Sequence, residues 1–171
     1  VLVGPSQNAS RACATHTHLA NALDTPVIPM ESPRGLNDPS LGNLAAAIAK
    51  ADVIVNLGKN MDFTTGFGQA PKISANCAFY MIDPDPKFLD RAETAMGPRM
   101  KLRACADTGT ARDMLIAKGP ASTAHAAWHD EVANCLASRP ALPKGPAKTP
   151  VHPAVLCGAL QKVLDAADDP I

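Results

Sequence analysis

The sequence predicts an α/β protein: a three-layer α/β/α, Rossmann-like domain on a five- or six-stranded parallel sheet, with a helical tail behind it. Three observations predict this. Residues 51–58 (Ala-Asp-Val-Ile-Val-Asn-Leu-Gly) and 78–86 (Ala-Phe-Tyr-Met-Ile-Asp-Pro-Asp-Pro) open with apolar runs of strand length. A strand that is apolar on both faces belongs in the middle of a parallel sheet, with helices above and below it. Each run stops at Gly or Asp, at the carboxyl end where open α/β sheets bind ligands. Ala-rich segments of helical spacing separate the runs at βαβ intervals.

The elements follow in order. Val1-Leu2-Val3 is a first strand, and residues 9–23 place Ala12, Leu19, Ala22 and Leu23 among polar residues as a helix does. Residues 26–30 (Pro-Val-Ile-Pro-Met) are a second strand, and 31–42 form a Pro/Gly-rich loop. A short Ala-rich helix at 43–50 leads into the third strand at 51–57. The fourth strand ends at Asp83, and Met100–Cys105 is the fifth. A helix at 108–117 carries Met114 and Leu115 before Lys118-Gly119-Pro120 breaks it. The expected strand order is 2-1-3-4-5, with a possible sixth strand at the edge beside strand 2, and the βαβ crossovers are expected to be right-handed.

This compact unit occupies residues 1–118, and 119–171 form a tail. Ser122 or Thr123 caps an expected exposed helix from Thr123 to Ala137. Five prolines between 139 and 153 then deny both helix and sheet, which makes an extended linker. A last helix from Pro153 to Ala166 carries Val155, Leu156, Leu160, Val163 and Leu164 at helical spacing. Such a stripe marks a packing surface, to be met by the α/β unit or by a second copy. The first residues sit inside a strand and the last approach another, so the chain reads as a piece of a longer protein.

Sixteen basic against sixteen acidic residues, with no basic stripe interleaved with aromatics, give nucleic acid no electrostatic foothold. No apolar run reaches the ~20 residues that span a bilayer. Five scattered cysteines without a CxxC pair suit reduced thiols in the cytoplasm better than a disulfide framework. Of these, Cys77 and Cys105 adjoin strands and are expected to be small core residues. His125 and His129 lie four apart on one helix, and His16 and His18 two apart. Neither pair has the further ligands that zinc needs, and the HExxH pattern is absent, so a solvated helix face is expected.

The order Val1-Leu2-Val3-Gly4, Thr25–Met30, the loop 31–42, the run ending Asn56-Leu57-Gly58, Met81-Ile82-Asp83-Pro84-Asp85-Pro86 and Ala106-Asp107 resembles the central domain of thiamine-diphosphate-dependent enzymes. Relatives with this layout include acetolactate synthase, oxalyl-CoA decarboxylase and benzoylformate decarboxylase. Trp128, the Pro-rich crossing and His152-Pro153-Ala154-Val155 are similar to that family's run-up to its pyrophosphate-binding domain. The resemblance implies a parent lyase, decarboxylase or transferase acting at a carbon–carbon bond beside a carbonyl. Thiamine diphosphate and magnesium would be held by flanking pyrimidine- and pyrophosphate-binding domains, in a homo-oligomer. The fragment alone would be inactive.

In some members of this family the central domain binds FAD or ADP, and in others nothing. By resemblance, the cofactor-binding candidates are Gly4, Ser6 and Gln7 at the first turn, Gly58, Lys59 and Asn60 after the third strand, Asp83 toward a ribose and Asp107 toward an adenine. Pro5 removes an amide donor from the first turn, and no GxGxxG is present, which argues against an NAD site. Arg34, in the loop after the second strand, is the substrate-side candidate. Two alternatives stay open: a flavin- or nucleotide-binding module of electron-transfer-flavoprotein type, and a purely structural scaffold for oligomerisation.

Overall fold

The computed structural model describes residues 1–4, 13–119, 125–138 and 151–167. The elements run β1 (Leu2–Val3), α1 (Cys13–Leu23), β2 (Ile28–Pro29), α2 (Leu44–Ile48), β3 (Val53–Leu57), β4 (Ala78–Asp83), α3 (Pro86–Met96), β5 (Met100–Cys105), α4 (Thr108–Lys118), α5 (Ala126–Ala137) and α6 (Pro153–Asp165). Between β3 and β4 lies a 3₁₀ segment, Phe63–Gly68. Among the described residues one sheet of five strands forms, in the order β2-β1-β3-β4-β5. Every pairing is parallel. The expected class and strand order are both found.

Alternation along the strands sorts the core into two faces. Ile54 pairs with Phe79 and Asn56 with Met81. The apolar members of this set pack with Leu44 and Ile48 of α2, Leu89, Ala92 and Met96 of α3, and Val132 of α5. On the other face Leu57 and Ile82 meet Leu19 and Leu23 of α1 and Ala111, Leu115 and Ile116 of α4. The chain steps from β1 to β2 in one direction, then turns back across β1 to β3 and continues outward. Crossovers of one hand therefore put α1 on one face and the later connections on the other.

Helices α1 and α4 cover only the carboxyl half of their face. Nearer the amino ends of the strands, Val53, Tyr80 and Leu102 stay 49%, 37% and 42% exposed. Tyr80 sits in register between Val55 and Leu102, so the strip crosses three strands.

α3 is absent from the sequence expectations, although its signals are local. Asp85 accepts the Lys87 amide at 2.9 Å as N-cap, Pro86 takes the first turn, and Leu89, Ala92 and Met96 fall on one face. α4 ends as expected, with Gly119 beyond it at φ 71°.

One correction concerns α5, expected as an exposed helix. The compact unit runs from Val1 to Ser138 and includes it. Val132 is buried in the core and Trp128 packs against it. Cys135 O accepts the Asn43 amide at 2.8 Å, and Lys50 Nζ meets Glu131 Oε1 at 2.6 Å. The inward face mixes Trp128, Val132, Cys135 and Leu136 with partly buried His129 and Glu131, while Ala126, Ala127, Ala133 and Ala137 are exposed, so no clean apolar stripe marks it. A second correction concerns Cys105. It is exposed at the end of the edge strand, while Cys77 is buried as expected.

The second unit, Arg139–Ile171, contains α6. His152 caps it through Nδ1, 3.2 Å from the Ala154 amide, and Pro153 occupies its first turn. Val155, Leu156, Leu160, Val163 and Leu164 are exposed.

Candidate functional site

The carboxyl end of the sheet is the natural crevice, because the chain leaves β1 and β3 in opposite directions there. The parallel ladder runs one residue past each strand at this seam. The Gly4 amide donates to Leu57 O and the Gly58 amide to Ile82 O, both at 2.9 Å, and the Ala106 amide reaches Asp83 O at 3.2 Å. Gly4 and Gly58 approach so closely that a Cβ on Gly4 would overlap the Gly58 carbonyl. Gly58 itself turns with φ 70°, a conformation that suits a residue without a side chain.

A polar knot lies behind this seam. Asn56, fully buried, accepts the Lys59 amide at 2.8 Å and donates to Met61 Sδ at 3.2 Å. Buried polar side chains need such partners, and these fix the path of the chain leaving β3. The Lys59 side chain is 7% exposed, with Nζ 3.5 Å from Asp62 Oδ1. Asp62 also caps the 3₁₀ segment, taking the Thr64 amide at 2.9 Å and the Thr64 hydroxyl. Burial pushes the Asp62 carboxyl up, but the Thr64 bonds and Lys59 outweigh it and hold the group below its usual range.

The loop after β2 is locked onto this knot. Gly35, at φ 57°, lies against Thr64, where a Cβ would strike the Thr64 backbone and side chain. Arg34 precedes it, exposed, near Asp38. Asp38 takes hydrogen bonds from the Ser32 hydroxyl and from Ser40, whose amide lies 2.7 Å away, and its pKa falls to about 2. Phe63 and Phe67 project into solvent from the 3₁₀ segment, Phe67 with left-handed backbone at φ 53°.

At the end of β4, Asp83 is buried and its Oδ1 accepts the Asp85 amide at 2.8 Å. Burial raises its pKa; the Asp85 amide opposes that rise and the Asp85 carboxylate adds to it. Asp107 caps α4, with Oδ2 2.7 Å from the Thr110 amide. The Thr110 amide and hydroxyl hold its carboxyl below the usual range.

The topology thus gathers Gly4, Gly58, Lys59, Asn60, Asp83, Asp107 and the Arg34 loop at one end of the sheet. Ser6 and Gln7 lie outside the described residues. Most of the donors among the described members are already engaged. The amides of Gly4 and Gly58 are spent on the ladder, the Lys59 amide on Asn56 and its ammonium on Asp62, and Asp107 on its own helix. Asn60 makes no hydrogen bond among the described residues, and one amide side chain is a poor cradle for two phosphates. Among the described residues no cluster of His, Cys, Asp and Glu could hold a metal, and no helix is long and apolar enough to cross a membrane.

Sequence reasoning missed Asn56, Asp62 and Thr64, which organise this end. The available signals were a polar residue inside an apolar strand and an Asp-x-Thr turn two residues past Asn60. No family model matches the chain, and no curated protein matches it at a significant level.

Proposed function

We propose that this chain is the central domain of a thiamine-diphosphate-dependent enzyme, and that its own role is structural. The observation that carries this reading is the coincidence of order and position. The strand order β2-β1-β3-β4-β5 brings Gly4, Gly58, Asp83-Pro84-Asp85-Pro86 and Asp107 to the carboxyl ends of β1, β3, β4 and β5. These are the residues on which the resemblance rests. The spent donors at the seam favour a spacer over a nucleotide carrier. In the parent, thiamine diphosphate would supply the carbanion-stabilising chemistry from neighbouring domains. This unit would hold those domains apart and in register, as a scaffold within a homo-oligomer.

Two measurements test the reading separately. The coding sequence around this segment should specify a glutamate-bearing pyrimidine domain before it and a magnesium-binding Gly-Asp-Gly segment after it. The full-length protein should then cleave or join 2-oxo acids only when supplied with thiamine diphosphate and magnesium. Absence of both flanking domains would remove the assignment. Calorimetric titration of the chain with ADP and with FAD to millimolar concentration should show no saturable heat. Binding there would leave the family reading standing and overturn the purely structural role.

A further inference from the structure

We propose that His129 and Asp24 form a proton-dependent latch that fastens α5 to the rest of the compact unit. The His129 ring is partly exposed, yet its Nε2 is turned away from solvent and has no hydrogen-bond partner. Asp24 Oδ1 lies 3.4 Å from that nitrogen. A buried polar atom without a partner is costly, and a carboxylate at this distance is what a protonated imidazole would pair with.

Asp24 is held for the task. It follows the last turn of α1 with a left-handed backbone, φ 47°, and the Thr25 amide bonds back to Ala20 O at 3.1 Å. The negative end of the α1 dipole adds to the attraction for a cation. The other charges nearby are otherwise arranged. Lys50 is paired with Glu131, Asp52 lies with His125 and Trp128 around a shallow depression, and Asp130 is exposed on α5 itself. The Val1 ammonium, near Thr25, Trp128 and Val132, donates to Pro26 O at 2.7 Å, and burial lowers its pKa to about 5; the Asp24→Asn variant separates its titration from the latch.

Histidine is the side chain whose charge ordinarily changes between pH 5 and 8. Against the Asp24 carboxylate, protonation of the ring turns a loose contact into an ion pair, and deprotonation releases it. α5 is the last helix of the compact unit, so the latch governs how firmly the unit holds the point from which the chain passes to residue 139 and beyond.

Hydrogen exchange of the full chain tests this, read as protection factors for the α5 amides at pH 5.5 and pH 8. Protection should be about two- to five-fold greater at pH 5.5. His129→Gln and Asp24→Asn should each abolish the difference. His129→Lys, which keeps a cation, should retain protection at both pH values. A wild-type chain with no pH dependence would overturn the latch, as would a dependence that survives in Asp24→Asn.

Discussion

At Gly4 the missing side chain is itself a structural requirement. Its Cα hydrogen points at the Gly58 carbonyl, and both amides are engaged in the ladder. Gly4→Ala should therefore force β1 and β3 apart at their carboxyl ends and destabilise the fold by about 3 kcal/mol, seen as a lower urea midpoint. Asp62 and Asp83 should respond to acid in opposite senses. Asp62 titrates lower in the folded protein than in the unfolded chain, so its stabilisation is present above the unfolded value of about 4 and fades as pH falls through the folded one. Asp83 titrates higher when folded, so its charge opposes folding at neutral pH and that penalty disappears on acidification. Urea unfolding should find Asp62→Ala about 2 to 4 kcal/mol less stable at pH 7, with the gap narrowing toward pH 3. Asp83→Asn should be at least as stable as wild type at pH 7, and that margin should also shrink toward pH 3. The glycines and strand-ending aspartates were legible because backbone demands select residue type directly. The partners of Asn56 and Asp62 were not, because a polar side chain does not announce which amide it will meet.

The sheet was the most legible set of elements. β3 and β4 are apolar on both faces, and nothing but a central strand suits such runs, even though Val53 and Tyr80 stay exposed on one of those faces. Helices were read less well, since their signal depends on what they pack against. α3 pairs a proline-led first turn with three buried residues, and its charged outer face masks the stripe. α5 was taken for an exposed helix because its inward face mixes Trp128, Val132, Cys135 and Leu136 with polar His129 and Glu131. Val132→Ala should consequently cost about 2 kcal/mol in denaturant unfolding. A cost near zero would mean that α5 is not part of the cooperative unit.

Across the whole molecule, the placing of α1 opposite α2 and α3 follows from where the chain reverses, so these layers were legible once the strand order was; α4 and α5 follow the last strand, and their faces are set by packing instead. The uneven covering of the two faces was not. Periodicity shows that Tyr80 and Leu102 lie in strands, while their exposure depends on how far α1 and α4 extend along the sheet. The proposed function rests on motif order alone, because the groups at the carboxyl end bond chiefly with one another. The Gly4–Gly58 contact has a consequence for whatever meets that end of the protein. Two peptide planes pressed together cannot yield as side chains do, so the backbone at this seam has a fixed shape. Any molecule or neighbouring domain that met it would have to conform to it.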